Sequence, residues 1–274
     1  MKSKDLYPAI FSRNAAAYQR RLEQVMALGQ ASGRQRAIDA LEVAPSMKVL
    51  DLACGPGNLT RRLAALVQPG GEVVGVDLAE GMIELARNAG IPGARFEVMD
   101  IERLTFAVAS FDAAICGHGL QFAPNLDRAL LEAHRVLRPG GRFTASVPVT
   151  QVDGAAIWAL LDTVIDRWLP PPPRAVDQDR TRQIVADPAA LSQAAADAGF
   201  SSAAIETVVE KVSWRSADQV VSMCMSWWDC AARLEGVDSA SRAGFARDAV
   251  EELRRSYPGE IETTGRNHVL VAIA

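Results

Sequence analysis

Only three histidines occur in the 274 residues, and the four cysteines, Cys54, Cys116, Cys224 and Cys230, are nowhere spaced as metal ligands. Reduced thiols, with no metal and no disulfide framework, are the expectation. No run of Lys and Arg forms a basic stripe, and 29 basic against 33 acidic residues leave a formal charge of −4, a poor balance for a nucleic-acid partner. Nowhere are there the roughly 18 consecutive apolar residues of a membrane-spanning helix, and the opening MKSKDLYPAIF lacks the apolar centre of a signal peptide. A cytoplasmic protein with no membrane span is expected. Aromatics are scarce at 6%, but hydrophobic residues reach 49% beside 23% charged ones, so a substantial core is available and disorder is excluded. The length fits one domain carrying a cap or insertion better than two full domains.

Over residues 1–45, apolar positions such as Leu22, Val25, Met26, Ala37, Ile38 and Leu41 recur at helical spacing, with Gly29 and Gly33 expected to break the helices. From Met47 the pattern changes. MKVLDLA, EVVGVDL, ARFEVMD, FDAAIC and GRFTASVPV read as strands, with helices ending near Val67, Asn88 and Leu137 between them. This alternation predicts βαβ units and a mostly parallel sheet, covered by helices on both faces where the strands are apolar throughout. Beyond Pro148 the sequence predicts a helix over Ala155–Trp168, then a lid-like loop through the prolines 170–173 to Arg182. A helix over 188–198 stopped by Gly199 and a strand over Ser202–Trp214 follow. Ser216 and Gln219 resemble a capping box opening a helix to Glu235, and a helix over 241–257 and the strand NHVLVAIA complete seven strands.

The most informative segment is VLDLACGPGNLT, a strand running into a tight turn that opens a helix. Gly55 and Gly57 allow backbone conformations and a close ligand approach that a Cβ would obstruct, at the sheet edge where ligands of open α/β folds collect. A dinucleotide fingerprint would place a third glycine where Thr60 stands, and no Gly-Lys-Ser/Thr of a P-loop follows. Asp77 ends the second strand 20 residues after Gly57, a spacing that suits a carboxylate accepting from ribose hydroxyls, though an N-cap for the next helix explains it too. Asp100 and Ile101 end the third strand, where a carboxylate and an apolar side chain suit an adenine ring. Together these describe an adenosine site without a pyrophosphate clamp.

With VVGVDLAEGMIELAR, the Met99–Asp100 pair, FDAAICGHGLQF and LLEAHRVLRPGGRF, this segment resembles the class I S-adenosylmethionine-dependent methyltransferases, in the small-molecule branch of ubiquinone, menaquinone and natural-product enzymes. The resemblance covers about residues 40–150. It implies a Rossmann-like α/β fold, a seven-stranded mostly parallel sheet flanked by helices with a helical cap. Residues 1–45 would form an N-terminal helical cap, 46–150 the S-adenosylmethionine-binding core, and 151–274 the remaining strands with a lid and a helical substrate-cap insertion. It further implies that Asp51, Ala53, Gly55 and Gly57 cradle the methionine end of the cofactor, and that Asp77 and Leu78 hold the ribose with Met82 nearby. Asp100 and Ile101 would contact adenine, and Cys116 and Gly117 would face the amino-acid moiety. Ala53 stands where the family often has glycine, and Pro56 separates the two glycines.

Methyl transfer needs a positioned nucleophile, exclusion of water and, for some acceptors, a base. His118, just beyond the fourth strand, is the candidate general base, with a pocket-lining role as the alternative. His134 flanks the apolar face of its helix, and His268 reads as structural. Gln121 and Phe122 are candidates to orient substrate. The helix over 217–235 spreads Met and Trp around too much of its surface for one buried stripe, so it must cover two surfaces, one facing an acceptor pocket or a homodimer interface. By the resemblance, Phe11, Tyr18, Trp158, Trp227 and Trp228 line the pocket under the cap. The function expected is methyl transfer to oxygen or nitrogen of a small, fairly apolar, aromatic or polycyclic acceptor. The alternatives are carbon methylation of a quinone or prenyl-type acceptor, a cofactor-bound scaffold for a non-methylating cyclisation, and a nicotinamide-dependent oxidoreductase, against which the missing third glycine counts.

Overall fold

A computed structural model describes residues 1–149 and 155–274. Three helices come first, α1 (Ser3–Arg13), α2 (Ala15–Ala27) and α3 (Ser32–Ala40). The core then alternates as expected: β1 (Lys48–Leu52), α4 (Asn58–Leu66), β2 (Glu72–Asp77), α5 (Glu80–Asn88), β3 (Ala94–Val98), β4 (Phe111–Gly117), α6 (Leu126–Val136) and β5 (Leu137–Val149). Local chemistry sets several boundaries. Asn125 Oδ1 accepts from the Arg128 N–H to open α6. Then come α7 (Ala155–Trp168), α8 (Asp179–Ala186) and α9 (Pro188–Asp197), the last capped by Asp187 with a proline in its first turn and stopped at Gly199 at φ +104°. The remaining elements are β6 (Ser202–Trp214), α10 (Ala217–Met225), α11 (Trp228–Leu234), α12 (Ser239–Ser256) and β7 (Ile261–Ile273).

The seven strands lie in the order β3-β2-β1-β4-β5-β7-β6, and only β7 runs antiparallel to its neighbours. Chain order reverses between β1 and β4, which opens a crevice at the carboxyl ends of those strands. One face of the sheet packs Leu50, Val74 and Phe143 with α6 and α9, and the other packs Val49, Val73 and Ile115 with α3, α4 and α5. A separate core joins α7, α10, α11 and α12 to Trp214 and Ile261, the far ends of β6 and β7. This group of helices is therefore built on the ends of β6 and β7, which stay paired with each other beyond the last β5 pair.

Three expectations need correction. Gly29 does end α2 at φ +68°, but α3 runs through Gly33, which lies flat against Asn267 of β7. The loop expected up to Arg182 already holds the start of α8, whose Thr181 hydroxyl donates to the Ala123 carbonyl at 2.8 Å. The helix expected over 217–235 is broken at Ser226–Trp227, because Trp227 packs tilted against Trp158 at 4.4 Å while Trp228 turns to pack edge-on against Tyr7 at 5.0 Å. The boundary drawn between residues 150 and 151 lies outside the described residues.

Helix α1 sits directly on α5. A Cβ on Gly81 would lie 2.6 Å from the Ser12 carbonyl oxygen and 2.8 Å from its Cα, so Gly81→Ala is expected to destabilise the fold by about 1–3 kcal/mol by prising the helices apart. Thermal denaturation of the variant checks this.

Candidate cofactor and active site

The turn from β1 into α4 is held in the left-handed region at Ala53 (φ +52°), Gly55 (φ +54°) and Gly57 (φ +85°). Gly57 packs against Phe96 and Ile91 of the β3 region, whereas a Cβ on Gly55 would meet nothing nearer than Tyr18 Cε1 at 3.9 Å. Gly55 therefore opens on the crevice. Ala53 is a non-glycine residue at a conformation costing roughly 1 kcal/mol, which explains why glycine is favoured there.

Asp77 at the end of β2 braces this turn. Its Oδ2 accepts from the Gly55 N–H at 2.9 Å and its Oδ1 from the Ala79 N–H at 2.8 Å. Burial raises its pKa, and these backbone donors oppose the rise. Each oxygen is fixed in place with a further lone pair free to accept. Asp51 lies deeper, 1% exposed, with Oδ2 accepting from the Thr60 hydroxyl at 2.6 Å and Oδ1 without a partner. Burial pushes its pKa up to about 7. A raised carboxyl pKa favours the fold fully below the unfolded value of 3.8, and that contribution is lost as pH rises through about 7. Asp51→Asn is expected to remove this decline, so that melting temperatures of variant and parent diverge between about pH 4 and pH 7 and keep a constant gap above that, with the variant higher at the neutral end.

The cleft opens to solvent. Of the residues expected to hold a cofactor, Ala53, Gly55, Asp77, Leu78, Met82, Asp100, Ile101 and Gly117 line it. Asp51, Gly57 and Cys116 stand behind its wall. Cys116 is fully buried, its thiol pushed up to about 12 by that burial. At the far end, Asp100 Oδ1 accepts from the Glu102 N–H at 2.9 Å and Oδ2 from Lys4 Nζ at 2.6 Å. The sequence reading missed Lys4, Tyr7 and Pro8 of α1, all of which line the cleft with Phe11. Their signal was the spacing of Lys4, Tyr7, Pro8 and Phe11 along one face of a helix. The segment after the prolines clamps this helix down: Asp177 Oδ1 accepts from the Ser3 N–H at 2.9 Å, and the Tyr7 hydroxyl donates to Gln178 Oε1 at 2.6 Å.

His118 lies in the cleft wall at φ +62°, its N–H donating to the Ser146 carbonyl at 2.8 Å. Ring Nε2 is buried without a partner. Burial first, then the Arg34 charge and, less, that of Arg21, hold the imidazole well below the usual histidine range against the opposing pull of a side-chain hydrogen bond with Asn267, so it is neutral at pH 7. Tyr18 and Phe122 also line the cleft. Gln121 instead turns back, its Nε2 donating to the His118 carbonyl at 2.8 Å, and Trp158, Trp227 and Trp228 lie in the packing behind the wall. His268 is structural, its Nδ1 2.9 Å from the Thr207 hydroxyl, and His134 packs on Phe200. Among the described residues no cluster of His, Cys, Asp and Glu suits a metal ion, and no helix is long and apolar enough to cross a membrane.

A family profile described as a methyltransferase domain matches residues 49–141. The chain is 32% identical over 168 residues to the 2-phytyl-1,4-naphtoquinone methyltransferase of Thermosynechococcus vestitus, covering 61% of this chain and 74% of that protein. It belongs to the class I S-adenosylmethionine-dependent methyltransferases. A demethylmenaquinone methyltransferase of Symbiobacterium thermophilum is 36% identical over 128 residues, 44% of this chain and 51% of that one. The chain spans only a third to a half of the length of the first curated relatives it matches. The YcgJ protein of Bacillus subtilis has a similar fold, with a TM-score of 0.54 at 18% identity over 88% of this chain and 97% of that one. Members of this family use S-adenosylmethionine, and the cleft fits that group: a braced carboxylate at the end of β2, an open Gly55, and the unpartnered buried Oδ1 of Asp51 behind the turn.

Proposed function

We propose that the chain transfers the methyl group of S-adenosylmethionine to oxygen or nitrogen of a small, fairly apolar, aromatic or polycyclic acceptor in the cytoplasm. The observation that carries this reading is His118: a neutral imidazole with an unpartnered Nε2 in the wall of a cleft whose other end carries the Asp77 carboxylate. When bound, the cofactor supplies an electrophilic sulfonium methyl. Asp77 accepts from the ribose hydroxyls, Asp100 and Ile101 take the adenine, and Gly55 and Gly117 let the backbone approach the methionine end, with Asp51 and Gly57 shaping the turn and Cys116 backing it. Phe11, Tyr18 and Phe122 exclude water from the reacting atoms, and His118 takes the acceptor proton. Trp158, Trp227 and Trp228 support that wall from behind. In this division residues 1–45 and the insertion within 151–274 cover a core over 46–150. The acceptor is a small molecule rather than a nucleic acid, and the cap is also the surface through which a homodimer would form.

Carbon methylation of a quinone or prenyl-type acceptor is a second reading, favoured by the quinone methyltransferases among the relatives. The test is mass-spectrometric detection of methyl transfer from deuteriomethyl-labelled cofactor to 1-naphthol, 1-naphthylamine and 1,4-naphthoquinol, with the position assigned by NMR. Label on oxygen or nitrogen is the expected result, and label on ring carbon would establish the second reading. Cofactor that binds and is never consumed would overturn both in favour of a scaffold for a non-methylating cyclisation.

A further inference from the structure

Helix α1 forms one wall of the cleft through Lys4, Tyr7, Pro8 and Phe11, yet little of its own holds it there. It is 11 residues long, a length at which an isolated helix is marginal in water. Pro8 inside it has no N–H to bond the Lys4 carbonyl one turn back. Its buried apolar side chains are Leu6, Tyr7 and Ile10, a small cluster apart from the two cores of the sheet. Polar bonds to distant segments therefore decide whether α1 stays on the cleft, and its two ends are held differently. At the carboxyl end Ser12 lies against Gly81, whose N–H donates to the Ser12 hydroxyl at 3.2 Å, and Asn14 Nδ2 and Arg13 Nε each donate to the Glu235 carboxylate at 2.9 Å. At the amino end the hold comes from one short segment just before α8. The Val176 N–H donates to the Met1 carbonyl at 3.3 Å, Asp177 Oδ1 accepts from the Ser3 N–H at 2.9 Å and the Ser3 hydroxyl at 2.5 Å, and Gln178 Oε1 accepts from the Tyr7 hydroxyl at 2.6 Å. Lys4 adds ion pairs to Asp100 and Glu102, weakened by solvent on a side chain 37% exposed. The segment that grips α1 is itself fixed. Prolines 170–173 lock their own φ angles, Arg233 bonds the Leu169 carbonyl ahead of them at 3.1 Å, and Gln178 and Thr181 bond the Phe122 and Ala123 carbonyls behind them at 3.0 and 2.8 Å. Of the two partners, α1 is the one free to swing.

We propose that α1 is the door of the cofactor cleft, hinged at Ser12–Asn14 and latched by Asp177 and Gln178, and that these two positioning residues, which stand outside the cleft wall, set the rates at which S-adenosylmethionine enters and S-adenosylhomocysteine leaves. The inference rests on the methyltransferase reading and concerns its exchange step. The latch bonds join protein groups to one another, so they weigh the same with the cleft filled or empty. While the closed form predominates, weakening them multiplies the open fraction by one factor in both states. Entry and release then accelerate together, and their ratio, the dissociation constant, stays where it was. A residue that only stabilised the fold would move neither rate, and one that touched the ligand would move release without entry.

Rapid filtration of the full chain with tritiated S-adenosylhomocysteine would measure association, and release into an unlabelled chase, for the parent and its variants. Asp177→Ala is expected to raise both rates about tenfold, the loss of hydrogen bonds to a charged acceptor, with the dissociation constant within about twofold of the parent value. Asp177→Asn, which keeps an oxygen to accept from Ser3, should recover most of the slow exchange, and Gln178→Met should show the same paired rise. Hydrogen exchange of the free chain supplies the second readout: amides of Ser3–Arg13 should exchange faster in Asp177→Ala while those of β1 and β4 keep the parent rates. Parent-like ligand rates in Asp177→Ala, a rise in release without entry, or unchanged amide exchange over Ser3–Arg13 would each overturn the proposal. So would faster exchange in β1 and β4, which makes Asp177 a support of the whole fold. A parent chain that binds no S-adenosylhomocysteine would overturn the methyltransferase reading together with this one, whereas binding with parent-like rates in the variants overturns this one alone.

Discussion

Asp77→Ala is expected to weaken S-adenosylhomocysteine binding by about 100-fold or more. The carboxylate is fixed by the Gly55 and Ala79 N–H groups, so its remaining lone pairs are aimed before any ligand arrives. Two hydrogen bonds from ribose hydroxyls to a charged acceptor are together worth roughly 3–6 kcal/mol. The alanine variant also leaves both backbone donors unpaired, so the turn itself loosens. Asp77→Asn separates the effects, since one oxygen remains to accept. Its affinity should fall between the two when measured by titration calorimetry, and an alanine variant binding like the parent would remove Asp77 from the site.

Removing the imidazole of His118 is expected to lower kcat by about 100-fold, with S-adenosylhomocysteine affinity unchanged. Because φ at this position is +62°, alanine adds backbone strain, and His118→Asn, which tolerates that conformation, is the cleaner variant. Both should lose turnover alike if the proton transfer is what matters. Since the imidazole is held below the ordinary 6.5, the acid limb of kcat/KM should fall only below that pH in the parent and vanish in the variants. Stability gives an independent check. The unfolded chain takes up a proton as pH drops through 6.5 while folded His118 does not, so parent stability declines on the acid side, and His118→Asn should remove that part of the decline.

The βαβ core was legible because its signals are local. Strands such as VVGVD and the turn at Gly55 and Gly57 announce themselves within a few residues, and Asp77 follows at a fixed spacing. What escaped was decided at long range. Lys4 reaches Asp100 across 96 positions, and no pattern in either segment names the other. Helix α8 is held by Thr181 and Gln178 bonding to the backbone around Phe122 and Ala123, contacts its polar sequence does not advertise. The break between α10 and α11 comes from adjacent tryptophans choosing different cores. The acceptor side of the site was half visible: Phe11, Tyr18 and Phe122 line the cleft as their sequence places suggest, whereas Trp158, Trp227 and Trp228 pack behind it, a choice between two apolar surfaces that the sequence does not decide.

The position of β7 has a consequence for biosynthesis. This strand lies between β5 and β6 and pairs with both, yet it is translated after β6 and three further helices. While the ribosome is still making those helices, β5 presents an unpaired edge and β6 has no sheet to join. The helices packed on the ends of β6 and β7 therefore settle only after the last strand has closed the sheet beneath them.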